Sequence, residues 1–181
     1  MLMKPGVKVF SSDNQQLGNL SHIVLYPSTK EITHLMVQKG SGADQSILVP
    51  VEAVYSADEN RVVLNKDLQS LTSGREIRHG GEVALAEAAD QATRPGVQPE
   101  GTVTIKERAR VTTCDGQNMG VIDYFITSEN HLQDMFFTKG SLLKRHRLVQ
   151  AEAISSINDE EIQLSVDADF INSLPEPHAV M

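Results

Sequence analysis

Apolar and polar residues alternate in short runs along most of the chain, the pattern of β-strands that bury one face. In the first seventy or so residues these runs are VKVF, NLSHIVLY, ITHLMVQKG, SILVPVEAV and NRVVLN, with turn-forming residues between them. Pro50 indicates an edge or a bend within the fourth run, because proline cannot donate to a sheet ladder. So many short strands in so short a segment predict a small antiparallel β-barrel.

The pattern occurs twice, which indicates an internal duplication. A shift of 102 residues superposes the start of the copies, and the matched pairs are Val9/Val111, Asp13/Asp115, Gln15/Gln117 and Gly18/Gly120. From residue 39 the shift is 100, with matched pairs that include Lys39/Lys139, Leu48/Leu148, Glu52/Glu152 and Leu64/Leu164. The second copy is therefore shorter by two residues between Gly120 and Lys139, as a shorter hairpin loop would explain.

Each copy opens with a polar turn and a glycine inside the next strand. Asp13 and Asp115 occupy the turn, where an aspartate side chain bonds to nearby backbone, so we expect a structural role rather than catalysis. Gly18 and Gly120 are expected to mark a bulge or a close backbone approach where the sheet curves.

The fold class expected from these patterns is all-β, with two small antiparallel barrels in tandem. The predicted domains are residues 1–72 and 105–175. Residues 73–104 match neither copy and form a predicted linker, with a short helix near 82–93 because Ala and Glu dominate there. Residues 176–181 are expected to be a flexible tail.

The order of these features resembles the PRC-barrel family. Each copy has a turn containing Asp, then Leu-Gly or Met-Gly, a strand ending in Lys-Gly, and Leu-Val-Pro/Gln-x-Glu-Ala-Val/Ile. Gln150 departs from the proline that the family favours. This barrel occurs in the cytoplasmic region of the photosynthetic reaction centre H subunit and in the C-terminal domain of the bacterial ribosome maturation factor. The resemblance implies docking onto other proteins, in some cases within ribosomal or membrane complexes, and it carries no shared catalytic residues.

Composition restricts the classes of function. The net charge is −8 and aromatic residues make up 4% of the chain, which disfavours general nucleic-acid binding. There is neither an apolar N-terminal segment typical of a signal peptide nor an apolar run long enough to span a membrane. With a single cysteine, the sequence indicates a reducing compartment, and we expect a cytoplasmic protein.

No constellation of residues predicts an enzyme, a cofactor or a metal site. His22 and His34 lie on strands of one copy, but Tyr124 and Asp134 replace them in the other, so surface histidines are expected. Cys114 has no neighbouring base in the sequence and is expected to be an inert thiol. Catalytic, cofactor-binding and metal-ligating residues are therefore all predicted to be absent.

Two sets of residues are candidates for a partner surface. Met36 and Phe136 are apolar at equivalent positions that should face outwards, so another part of the chain or a partner is expected to cover them. Lys144, Arg145 and Arg147 belong to the one basic cluster, KRHR. Such clusters are more often merely solvated, but this one is the best candidate for contact with an acidic partner or an RNA backbone.

These observations favour a non-enzymatic interaction or assembly module with a protein partner. A homo-oligomer and peripheral association with a membrane complex both stay open. The alternative is a ribosome- or RNA-associated maturation or adaptor factor, for which only Lys144–Arg147 with Arg108 and Arg110 offers a basic face. A third class, an enzyme or ligand carrier with a cleft between the barrels, has no residue set to support it.

Overall fold

The computed structural model describes residues 1–40, 46–67, 98–139 and 145–175. The predicted linker helix, the predicted tail and Lys144 lie outside these residues. Within them the chain is mostly β, with two seven-stranded sheets and one α-helix. The strands are β1 (Leu2–Met3), β2 (Lys8–Phe10), β3 (Gln16–Leu25), β4 (Ile32–Gln38), β5 (Ser46–Pro50), β6 (Val54–Ala57), β7 (Arg61–Leu64), β8 (Val103–Lys106), β9 (Arg110–Thr112), β10 (Asn118–Ser128), β11 (His131–Lys139), β12 (Arg145–Gln150), β13 (Ile154–Ile157) and β14 (Glu161–Leu164).

The two sheets have the same strand order. The first runs β5-β4-β3-β2-β7-β6, and the second runs β12-β11-β10-β9-β14-β13. Equivalent hydrogen bonds recur at the shifts seen in the sequence: Leu20 N–H donates to Val7 O (2.8 Å) as Ile122 N–H donates to Ala109 O (3.0 Å). The change from 102 to 100 falls in the β3–β4 turn, where residues 26–31 correspond to residues 128–131.

The predicted fourth run is two strands rather than one. After Pro50 the chain makes a 3₁₀ turn at Val51–Ala53 before β6 begins, and Ala151–Ala153 does the same between β12 and β13. β5 and β6 therefore lie at opposite ends of the strand order although only this turn separates them. The bend that Pro50 suggests is present, and it moves the chain to the other end of the sheet.

Two features differ from a closed antiparallel barrel. β7 runs parallel to β2, and β14 runs parallel to β9, because the chain reverses once more through β6 or β13 before it returns to the start of the sheet. In the described residues no ladder pairs β5 with β6 or β12 with β13, so each sheet is open between its end strands.

Each sheet contains a strand from the other half of the sequence. β1 pairs with β10 through Leu2–Ile126 and Met3–Phe125. In return, β8 pairs with β3, with Ile23 opposite Ile105. The predicted division at residues 72 and 105 therefore does not separate the sheets, since β1 and part of β8 each lie across it.

The tips of the two long hairpins also contact each other reciprocally. Ile32 N–H donates to Asn130 O (2.7 Å), and Leu132 N–H donates to Lys30 O (3.0 Å). Because these residues are equivalent at a shift of 100, the contact has the symmetry of a two-fold axis. One hydrophobic cluster then includes core residues of both halves, among them Met3 and Ile105 from the exchanged strands.

A short helix that the sequence analysis did not predict follows β14. Helix α1 (Ala168–Ser173) begins after Asp167, whose carboxylate accepts a hydrogen bond from Phe170 N–H at 2.8 Å. Such a side chain satisfies a backbone donor that the first turn leaves open. Ala168 and Ile171 are buried and Phe170 is half exposed, so the helix packs by one face.

Candidate functional site: a polar groove at the strand crossing

β1 and β8 each pair with the sheet formed by the other half of the sequence, and this strand exchange requires two segments to cross between the sheets. Residues 4–7 lead from β1 to β2, and residues 107–109 lead from β8 to β9. The segments meet, since Gly6 N–H donates to Leu20 O (2.6 Å) and Glu107 N–H donates to the adjacent Ser21 O (3.1 Å). Gly6 (φ 89°) and its equivalent Arg108 (φ 62°) both have left-handed backbone, so the crossing uses the same sharp turn twice.

A groove of about 780 Å³ lies beside this crossing. Its walls come from both crossing segments and from β10, β11 and β12, and its lining residues are Lys4, Pro5, Glu107, Arg108, Asn118, Gly120, Val121, Ile122, Asp123, Thr138 and His146. Most of these side chains are charged or polar. The exchange of β1 adds Lys4 and Pro5 to a lining that otherwise comes from the second half of the sequence.

Asp123 lies at the centre of the charged residues. Its carboxylate is 3.7 Å from Lys4 Nζ and 3.7 Å from His146 Nδ1. Thr138 Oγ1 is also within hydrogen-bond distance of His146 Nδ1, at 3.2 Å. All three contacts are partly exposed, so solvent screens the charges and each ion pair contributes little to stability.

The His146 contacts do not form a catalytic relay. In a nucleophile–histidine–carboxylate arrangement the nucleophile bonds to one ring nitrogen while the carboxylate bonds to the other. Here Thr138 and Asp123 both approach Nδ1, so the ring cannot take a proton from Thr138 while Asp123 orients its opposite side. The arrangement holds fixed charges and hydrogen-bond donors, which is the chemistry of binding.

The first half of the chain has different residues at the equivalent positions. The residues equivalent to Asp123, Thr138 and His146 are Ser21, Gln38 and Ser46. Lys4 has the equivalent Lys106, which is directed elsewhere and pairs with Glu160 at 2.6 Å. No sequence motif predicts the groove, although the loss of repeat identity at these three positions indicates that the two copies differ there.

The predicted turn residues lie in matching hydrogen-bonded turns. Ser11 Oγ donates to Asp13, and Gln117 Nε2 donates to Asp115 Oδ2 at 2.9 Å. Side-chain hydrogen bonds, that from Thr113 first, hold the pKa of Asp115 below its usual value. These contacts give both aspartates a local structural role.

The two strand glycines are required for different reasons. A Cβ on Gly18 would lie 2.1 Å from the backbone oxygen of Gln38, closer than any real contact, so only glycine lets the strands approach. Gly120 has φ 131°, which other residues rarely adopt, and its N–H is bonded to Asn118 Oδ1 at 2.8 Å. Register shifts accompany both positions.

The apolar partner-surface candidates differ in exposure. Phe136 is only 4% exposed and stacks on Tyr124, its cross-strand neighbour, with 4.2 Å between ring centroids. It therefore presents little surface to a partner. Met36 is half-buried opposite His22.

Of the basic cluster KRHR, the structure describes the side chains of His146 and Arg147. Arg147 is 7% exposed and donates from Nη1 to His146 O at 3.0 Å. Lys144 and the side chain of Arg145 lie outside what is described. Arg108 is exposed in the groove, and the backbone N–H of Arg110 is bonded to Glu160 O at 2.8 Å, so the two are held in different surroundings.

Other candidate chemistry is sparse in the described ranges. They contain no group of three or more potential metal ligands. Cys114 is a free, exposed thiol. His22 is half-buried and His34 is fully buried, so the expectation of surface histidines is wrong for His34. The two residues lie opposite Met36 and Val24 respectively, not opposite each other. No helix in these ranges is both long and apolar enough to cross a membrane.

Comparison with known protein families gives a match within the first repeat of the chain. No curated protein matches the sequence. The family model of the PRC-barrel domain matches residues 6–69, which include β2 to β7. This range leaves out β1 and β8, the two strands that are exchanged between the sheets. The chain thus carries a PRC-barrel domain at residues 6–69.

Proposed function

We propose that the protein is a non-enzymatic interaction or assembly module built from two PRC-type barrels in tandem. The observation that carries the proposal is the match of residues 6–69 to the PRC-barrel domain, because that resemblance implies docking onto other proteins. The equal strand order of the second sheet supports a second barrel of the same type at residues 105–175. Its partner is a protein, and a second copy of the chain is one such partner.

The geometry of the groove supports binding over turnover. Its one histidine meets both Asp123 and Thr138 through the same nitrogen, so no nucleophile is activated there. We propose the cytoplasm as the site of action because the single cysteine is free and exposed, a state that a reducing compartment preserves. A membrane complex remains among the candidate partners through peripheral association only.

The test is quantitative capture of partners by the tagged full chain after mild crosslinking in the source cell, with light scattering on the pure protein. We expect a defined protein partner, or a particle larger than one chain. The control is Gly18→Ala, which disturbs the sheet itself and should reduce capture along with the folded fraction. A monomer that captures no protein would contradict the proposal, and so would a turnover that His146→Ala abolishes.

A further inference from the structure

We propose that residues 82–93 of this chain bind the outer face of β3, β4 and β5, the side of the first sheet that is turned away from the shared hydrophobic core. The sequence predicts a short helix for this segment, which itself lies outside the described residues. The proposed function does not depend on what covers this face, so the two proposals stand or fall separately.

The strand register places two cross-strand rows of residues on the outer face. These rows are Val24–His34–Pro50 and His22–Met36–Leu48. Leu35 and Val49, which alternate with them along β4 and β5, belong to the hydrophobic core. Because successive side chains of a strand point to opposite sides of the sheet, both rows face away from that core.

This outer face is buried all the same. Val24 and His34 are 0% exposed and Leu48 is 1% exposed, yet Val24 and Leu48 do not belong to the hydrophobic cluster that joins the two halves. Within the described residues, the elements that pack most closely on β4 are β3, β5 and the turn at Val51–Ala53, which are its own neighbours. The burial of Leu48 therefore requires a cover on the outer side of the sheet.

The second half of the chain contributes a turn to this face, but at the opposite edge. Thr104 Oγ1 donates to Asp159 Oδ1 (3.1 Å), and Lys106 Nζ donates to Glu160 Oε1 (2.6 Å). Both contacts lie on β8, which is separated from β4 and β5 by β3. The part of the face that carries Met36 and Leu48 is on the far side.

The equivalent face of the second sheet is more polar and more open. Asp134 and Gln150 occupy the positions of His34 and Pro50. Asp134 is half-buried and Gln150 is exposed. The cover is thus specific to the first sheet, which points to an element that the two halves do not share. Residues 73–104 match neither copy of the repeat.

Both ends of the undescribed segment lie on the first sheet. β7 ends at Leu64 within this sheet, and β8 begins at Val103 beside β3. Just before β8, Pro99 is buried, and a Cβ on Gly101 would lie 4.0 Å from the ring of Tyr26, the residue after β3. The chain thus leaves the first sheet and returns to it, so this sheet is the surface nearest to residues 68–97.

Residues 82–93 have the pattern and the length that the face requires. At helical spacing, the apolar side comprises Leu85, Ala88, Ala89 and Ala92, and the opposite side comprises Glu87, Asp90 and Gln91. A helix of this length spans about 18 Å, and a strand of the length of β4 spans about 23 Å. One apolar side of the helix can therefore cover the buried rows while its acidic side stays in solvent.

The test is NMR of the full chain with labelled Leu and Ala methyl groups, in which Leu48→Met identifies the Leu48 signals. We expect nuclear Overhauser cross-peaks between the methyl groups of Leu48 and those of Leu85 or its neighbouring alanines. A soluble gadolinium chelate should leave the Leu48 signals sharp. Leu85→Asp should abolish the cross-peaks and let the chelate broaden the Leu48 signals, because an unpaired carboxylate is costly to bury.

The matched control is Val83→Asp, which introduces the same charge two residues away on the opposite side of the predicted helix. It should keep both the cross-peaks and the sharp Leu48 signals. Equal loss in the two variants would overturn the proposal. So would Leu48 signals that the chelate broadens in the unchanged protein, a result that does not depend on whether any variant folds.

A mixture of differently labelled chains separates the other occupants of this face. Cross-peaks to Leu48 that arise only between two chains would assign the face to a second copy and overturn the proposal. Leu48 signals that sharpen only when a captured partner is added would assign the face to that partner, with the same consequence.

Discussion

Single residues determine how closely the strands of this protein can approach. Gly18 and Gly120 are equivalent in the repeat, yet they require glycine for different reasons. At Gly18 there is no space for a Cβ, whereas Gly120 has a backbone conformation that other residues rarely adopt. The sequence predicts a need for glycine at both positions, but it does not reveal the reason. That depends on the neighbouring strand, which local sequence does not specify.

Gly18→Ala is expected to destabilise the protein by about 1–3 kcal/mol, because the new methyl group overlaps the backbone of Gln38 and forces β3 and β4 apart. The measurement is urea unfolding. The control is Gly40→Ala, where φ is 75° but no atom lies within 4 Å, so only the backbone strain contributes. Equal losses in the two variants would show that the close approach is not the cause.

Asp134 is expected to cost stability at neutral pH. Partial burial, and then the negative charge of Glu152, raise the pKa of Asp134 above its usual value. The folded state therefore binds the proton more tightly than the unfolded chain does, so stability falls as the pH rises through this interval. The penalty is absent below the pKa of the unfolded chain and complete above the raised pKa.

Asp134→Asn should then raise the melting temperature at pH 7 by about 1–2 °C, since partial exposure screens the charges. The gain should disappear as the pH is lowered through the raised pKa. Glu152→Gln should give part of the same gain, and the double variant less than the sum, because the two side chains interact. A gain that is independent of pH would contradict the assignment.

At the scale of elements, the strand pattern is predictable and the pairing of the strands is not. Alternation identifies β4 and β7, and their predicted inward residues are buried: Leu35, Val37, Val62 and Leu64. It does not identify an inward face of β3, where Ile23, Val24 and Leu25 are buried in succession. β1 is only two residues long, too short for any period, and its partner β10 begins more than a hundred residues later. Lys4 and Asp123 are likewise brought together by this long-range pairing, so no local motif marks their contact.

The outer face of the β10–β11 pair depends on an aromatic stack. Phe136→Ala should cost about 3 kcal/mol, because it removes a buried ring and its offset contact with Tyr124. Differential scanning calorimetry measures the loss. Tyr55→Ala is the control, since that ring is 77% exposed and should contribute little. A particle that becomes smaller while its stability is unchanged would indicate that Phe136 contacts a second copy instead.

The exchange makes the two sheets one cooperative unit at the scale of the whole molecule. Each sheet completes its longest strand with a segment from the other half, and the hairpin tips are bonded to each other. The full chain is therefore expected to unfold in urea in a single transition that is coincident by near- and far-ultraviolet circular dichroism. Two separate transitions would show that the halves are independent.

A truncation pair tests the same dependence. Residues 1–72 lack β8 and should show poorly dispersed NMR signals, because the edge of β3 at His22–Leu25 loses its partner. Residues 1–110 include β8 and should recover dispersed signals for this sheet. Equal dispersion in both fragments would show that β8 is dispensable.

The crossing also determines when the chain can fold during its synthesis. At about 5–20 residues per second, residues 1–67 emerge several seconds before Lys106 does. Throughout that delay the strand that ends at Leu25 has an open edge, able to pair with any extended chain nearby. β1 lacks its partner strand for longer still, because Met1 N donates a hydrogen bond to Thr127 O, 126 positions later in the chain. Each half is thus left unfinished until the other has been made, and a pause by the ribosome anywhere between these points prolongs the exposure of an unpaired strand edge.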